Sequence, residues 1–217
     1  MGKGERTRLA ILDRASRLAS RLGLESLSIG RLAHELALSK SGLFAHFRSK
    51  EVLEVQVIEF ASRRFVDMVI KPALAAPRGE PRVRALFEKW IEWSRSGGER
   101  AGCVFVALAA ELDDRPGPAR DRLVRAQRDW LEVIANCFHS GVDEGHFRRD
   151  GDAQQFAQDL YGIYLAYHLA KRLLQDPRAE ERAREAFEAL LRSARRKTVA
   201  RRRKTVSTKG RRAHARH

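Results

Sequence analysis

Residues 28–50, SIGRLAHELALSKSGLFAHFRSK, gather the side chains with the most to offer a ligand. Ser39, Lys40, Ser41 and Gly42 open one short amphipathic segment, and Phe44, His46 and Phe47 close it. Hydroxyl and ammonium groups of this kind hydrogen-bond to phosphate oxygens and base edges, and small residues let a helix sink into a major groove about 12 Å wide. A second segment, residues 29–36, precedes it with only residues 37 and 38 between. So short a connection forces a sharp crossing, the geometry by which a helix-turn-helix pushes its second helix forward. Basic residues flank the pair: Lys3, Arg6 and Arg8 before it, Arg48 and Lys50 after it. The chemistry on offer is DNA recognition.

No competing chemistry emerges elsewhere. The seven histidines, His34, His46, His139, His146, His168, His214 and His217, lack metalloprotease spacing. Glu111, Asp113 and Asp114 lie beside a proline-glycine stretch and read as a solvated turn. Ser96-Gly97-Gly98 lacks the Lys-Ser/Thr of a phosphate loop. Cys103 and Cys137 are too few for a disulfide framework and read as small buried apolar residues. No catalytic residue, metal site or cofactor is assigned.

The elements that must position these groups are helical throughout. Ile11, Ala15, Leu18 and Leu22 share a stripe over residues 6–22, with Gly23 as the stop. Ile29, Leu32, Ala33 and Leu36 share the next, with Ser28 as N-cap. Leu43 and Phe47 carry residues 39–47, and Ser49 caps a longer helix expected to end near Val69, before Pro72. Further helices are expected from Pro81 to the Ser96-Gly97-Gly98 break, over Val104–Leu112, over 119–140, from Asp152 to about Gln175, and over 178–194. The sum is an all-α chain of about nine helices, without a strand or internal repeat.

Charge divides the chain. Residues 1–50 hold ten Lys/Arg against four Asp/Glu, residues 51–194 hold 22 against 24, and residues 195–217 hold 11 against none. This suggests a basic DNA-binding head (1–50), a nearly neutral body (51–194) for dimerisation and ligand, and a basic tail (195–217) expected to be disordered in isolation. The tail either binds nucleic acid without sequence preference or is a solvated extension. The N-terminus lacks an apolar export signal, and no stretch reaches the ~18 apolar residues of a bilayer span, so the chain is expected to be soluble and cytoplasmic.

In the body, residues 156–174 are apolar on two faces, one stripe through Phe156, Leu160, Ile163, Tyr167, Ala170 and Leu174, another through Ala157, Tyr161, Leu165, His168 and Leu169. Such a helix is either a central core element or one covered on its second side by a partner subunit. The second reading gives a homodimer through helices near 152–175 and 178–194, which suits two half-sites of a palindromic operator. Phe87, Trp90, Trp93, Phe105, Phe138, Tyr161 and Tyr164 either line a cavity or pack the core, and none selects a ligand.

Residues 8–60 resemble the N-terminal domain of the tetracycline-repressor (TetR) family of bacterial regulators. The resemblance runs through Ile11-Leu12, Ala15, Gly23, Ser28-Ile29, Leu32-Ala33, Leu38-Ser39-Lys40, Leu43-Phe44, His46-Phe47 and Ser49-Lys50-Glu51-x-Leu53. A softer similarity to regulators of unknown ligand lies around GCVFVALAAELDDRPGP. The resemblance implies an all-helical homodimer with a ligand-binding C-terminal domain, most simply a repressor released from its operator by a small-molecule effector. It implies phosphate contacts from Ser28, Arg31, His46 and Lys50, a groove-facing set of Ser39, Lys40, Ser41 and Gly42, and Phe44 at the position of a tyrosine that commonly contacts the DNA backbone. Two departures thin the polar contacts: Gly42 stands where threonine is frequent, and Phe44 where tyrosine is. Ala37 stands in the turn where glycine is common, so a left-handed backbone there costs about 1 kcal/mol. An architectural, weakly specific DNA-binding protein dominated by its tail is the alternative.

Overall fold

Serine side chains start three of the helices that follow one another in the N-terminal quarter. Ser28 Oγ accepts the Arg31 N–H at 3.0 Å, Ser39 Oγ that of Gly42 at 3.0 Å, and Ser49 Oγ that of Val52 at 3.1 Å. Each satisfies an orphan donor of a helix start, worth about 1 kcal/mol. The computed structural model describes residues 2–96 and 102–196. Within them run α1 (Lys3–Leu22), α2 (Ile29–Glu35), α3 (Lys40–Phe47), α4 (Lys50–Phe65), α5 (Glu80–Arg95), α6 (Val104–Leu112), α7 (Pro118–Asp143), α8 (Ala153–Arg172) and α9 (Ala179–Ala194). There is no strand among the described residues, only an isolated bridge between Phe147 and Arg195. Gly97 and Gly98 of the expected break, and residues 197–217 of the basic tail, lie outside the described residues.

The expected end of α4 near Val69 is corrected. After Phe65 the helix continues through a π-helical stretch, Val66–Ile70, into a last turn, Lys71–Leu74. Pro72 does not end it. Proline has no N–H, and in α-helical register its ring strikes the carbonyl four residues back. The wide turn, in which the Lys71 N–H reaches Val66 O, relieves that crowding. The whole rod is about 37 Å long at 1.5 Å per residue. The head–body boundary at residue 50 therefore falls in the first turn of a continuous helix.

One apolar core runs from Ile11 in α1 to Ala194 in α9. Phe65 sits near its middle and meets Trp93, Phe105 and Trp130 edge-to-face, with centroids 5.4, 5.5 and 4.9 Å away. These are favoured quadrupole arrangements. Phe87 stacks on Phe187 at 4.1 Å, which ties α5 to α9. Within the same core, Phe138, Phe147 and Phe156 stack together where α7 meets α8. Beside them the end of α9 is pinned: Arg195 donates to the Glu80 carboxylate at 2.6 and 2.8 Å, and the Arg196 N–H donates to His146 O at 3.2 Å. Glu80 follows the far end of α4, so Arg195, the first residue past α9, is held near the end of that rod opposite the head.

Candidate nucleic-acid interface

The α2–α3 connection is made by an alanine in a left-handed conformation. Ala37 has φ 52, and the Leu38 N–H reaches back to Ala33 O at 2.9 Å. This six-to-one bond is the Schellman ending that glycine normally supplies. The crossing it creates buries Leu43 and Phe47 against the core and turns the other face of α3 outward. Lys40, Ser41, Phe44 and Ala45 are exposed on that face. Phe44, at 50%, is the most exposed aromatic of the described chain.

The other expected contact residues are placed as follows. Gly42 and His46 are half-buried. Ser28 and Ser39 are exposed, and their hydroxyls cap their own helices; Ser39 Oγ also lies 3.2 Å from Ser41 Oγ. Arg31 is exposed, with Nε 3.5 Å from the Glu35 carboxylate. Glu35 is held below the usual carboxylate range first by its hydrogen bond from Arg14, with Arg31 adding. That pairing locks α2 to α1. Lys50 turns inward: Nζ donates to Glu25 O at 3.0 Å and lies 3.8 Å from Glu54. Among the exposed members of the set, Lys40, Ser41 and Phe44 are thus those with no helix to cap and no acid to pair.

Behind α4 the body holds a cavity of about 390 Å³. Of the seven aromatics named from sequence, Trp90, Phe105 and Tyr161 line it. Phe87, Trp93, Phe138 and Tyr164 do not; all four are buried in packed aromatic contacts. Phe65 and Trp130 complete the aromatic wall. Both sit on stripes legible in the sequence, but which side of α4 and α7 faces a void is a matter of tertiary packing. Tyr161 Oη accepts from Gln127 Nε2 at 2.6 Å, and burial pushes its phenol up to about 12. Cys103 also lines the cavity, and burial raises its thiol. Arg63, Asp67, Lys71, Arg122 and Asp129 form the rim, where Lys71 and Asp67 pair at 2.7 Å.

Residues 11–56 match the family described as bacterial regulatory proteins, tetR family, and residues 79–187 match the tetracyclin repressor-like C-terminal domain. The chain belongs to the TetR family. It is a sequence-specific DNA-binding regulator, and the family's members dimerise and are typically released by an effector. The HTH-type transcriptional repressor NemR of Escherichia coli (strain K12) is 22% identical over 169 residues, covering 77% of this chain and 84% of NemR. The HTH-type transcriptional repressor DhaR of Mycobacterium sp. (strain GP1) is 23% identical over 158 residues, covering 71% of this chain and 74% of DhaR. A TetR-family transcriptional regulator from Streptomyces coelicolor superposes with a TM-score of 0.74 at 24% identity, covering 88% of this chain and 96% of the other. The TetR fold accounts for both matched segments, because α4 carries the head directly into the body. No helix of the described residues is long and apolar enough to cross a membrane.

Proposed function

We propose that this TetR-family chain is a repressor that holds a palindromic operator as a homodimer and leaves it when a small molecule occupies the body cavity. The observation that carries the reading is the face of α3, where Lys40, Ser41 and Phe44 are turned outward by a tight, capped crossing. In this reading Lys40 and Ser41 meet base edges and phosphates, while Arg31, His46 and the capping serines hold the register. NemR and DhaR, both named as repressors, support the sign of the regulation.

The dimer is proposed to form through α8 and α9. Leu165, Leu169, Leu173 and Leu174 stand exposed along and just past α8, and Ala186 and Ala189 are exposed on α9. An apolar strip of this kind on a soluble chain marks an interface, and a two-fold pairing would set two α3 helices about 34 Å apart, or a multiple of it. A cytoplasmic location follows from the DNA partner. The aromatic wall and the Tyr161 phenol suit a planar, largely apolar effector with a hydrogen-bond acceptor. Its binding would shift the population toward dimers whose heads no longer match the operator.

The experiment is selection of the operator from a random DNA pool, followed by the Lys40→Ala variant. A two-fold symmetric site whose affinity falls in the variant supports the reading; an undiminished affinity refutes the placement of α3. The eleven basic residues of 195–217 favour the architectural alternative, and excess unrelated DNA separates the two. A repressor keeps a large specificity ratio under that competition, and a tail-driven binder loses it.

A further inference from the structure

Residues 20–25, the last turn of α1 and the start of its connection to α2, are gripped by the body from two sides. Near the end of α6, the Glu111 carboxylate accepts the backbone N–H of Leu24 at 2.7 Å and that of Glu25 at 2.6 Å. From the last residue of α8, Arg172 Nη1 donates to Ser20 O at 2.9 Å. Gly23 lies between these points with φ 79, and a Cβ there would run into the Glu111 carboxylate. The glycine is needed for clearance as well as for its backbone conformation.

Glu111 also belongs to a closed circuit of charged contacts. Arg115 Nη1 lies 3.6 Å from Glu111, and Arg115 Nη2 lies 2.6 Å from Glu54. Lys50 Nζ lies 3.8 Å from Glu54 and donates to the carbonyl of Glu25, whose N–H Glu111 holds. The backbone of Glu25 is thus held at its N–H by α6 and at its carbonyl by the first residue of α4. Apolar packing alone lets helices slide and tilt; a carboxylate with two N–H donors fixes direction as well as distance.

The opposite end of α6 forms part of the cavity wall through Cys103, Phe105 and Val106. One short helix therefore touches the cavity with its first turn and the head with its last, roughly 9 Å apart. We propose that Glu111 is a positioning residue: it sets the pitch of the reading head on the body, and through it the head senses whether the cavity is filled. This rests on the reading of the cavity as an effector site.

The test uses the full chain and the operator selected by the wild type, together with operators lengthened or shortened by one base pair between half-sites. The wild type should lose roughly tenfold or more in affinity when the spacing changes, because two-fold readers demand fixed half-site separation. Glu111→Ala should lose less than about threefold, since freed heads re-aim, and Glu111→Gln, which keeps one carbonyl acceptor, should fall between. Equal spacing discrimination in wild type and Glu111→Ala overturns the proposal, as does a wild type that ignores spacing. Should Glu111→Ala fold poorly by thermal melting, Glu111→Gln carries the comparison.

The link to the cavity is read without an effector by Val106→Trp, which places an indole in part of it. That change should alter operator affinity by about tenfold in the wild type and by less than about threefold beside Glu111→Gln, a failure of additivity that reports coupling. Equal effects in both backgrounds overturn the link. A pool that yields no operator instead overturns the DNA-reading function on which both parts stand.

Discussion

The Tyr164 ring lies flat on the Trp90 indole, centroids 4.0 Å apart and planes 17° from parallel, and its buried hydroxyl meets no hydrogen-bond partner. Burial drives that phenol far above its usual range, so it stays neutral. An unsatisfied buried hydroxyl costs about 1–3 kcal/mol. Tyr164→Phe keeps the stack and removes the orphan, so it should raise stability by about 1 kcal/mol. Urea unfolding measures this; a lower midpoint would show that the hydroxyl is satisfied.

Ala37 holds a conformation that glycine adopts freely, with φ 52 at the end of α2. Ala37→Gly should remove about 1 kcal/mol of strain. The gain should appear in thermal melting, and operator affinity should not fall, because the turn already has the geometry glycine would choose. A destabilised variant would mean that the entropy glycine adds to the unfolded chain outweighs the strain.

Glu80 sets an acid limit. Its hydrogen bond from Arg195, with Arg84 adding, holds its carboxyl at about 2 against a usual 4.5, in spite of partial burial. A carboxyl depressed in the folded state contributes stability that is fully present above the unfolded value and is lost as pH falls through the folded one. Stability should therefore decline between about 4.5 and about 2. Glu80→Gln should flatten part of that decline while lowering stability at neutral pH. Salt should weaken the contribution, since the partner guanidinium groups are partly exposed. An unchanged acid profile in the variant would remove Glu80 from the account.

Phe44 stands outward on α3 where related heads carry a tyrosine, and half of its surface is open. Phe44→Tyr should gain one hydrogen bond to the DNA backbone, roughly fivefold in affinity at about 1 kcal/mol. Titration of the selected operator at fixed salt checks it. No gain would place Phe44 off the phosphate track.

The head was the most legible part of the sequence, for a local reason. Ser28 and Ser49 each stand just before a helix that the apolar pattern marks, and each caps it; Ser39, read as a groove contact, caps α3 as well. Capping is decided by residues three apart, so sequence shows it. The path of α4 past Pro72 was not legible, because a π turn leaves no compositional mark. Nor was the inward turn of Lys50, which answers to Glu25 and Glu54 in the folded chain. Among the aromatics, Trp90 and Trp93 lie on one helix, yet only Trp90 borders the main cavity. Three residues rotate a helix position by about 60° from alignment, and which side is left empty depends on α7 and α8. Glu111 read as part of a solvated acidic turn. Its partners, Leu24 and Glu25, lie 87 and 86 residues away, a distance no local pattern spans.

The unbroken course of α4 makes the molecule a crowbar rather than a pendant on a string. Lys50, gripping the head, and Phe65, among the cavity aromatics, share one stiff shaft about 23 Å long. A rotation of about 5° about Phe65 therefore carries the head end through roughly 2 Å. In a symmetric pair the two displacements are mirrored by the two-fold axis and change the span between the reading helices. In the mechanism proposed above, a few ångströms of room beside one phenylalanine ring would be converted by leverage into a misfit at the grooves.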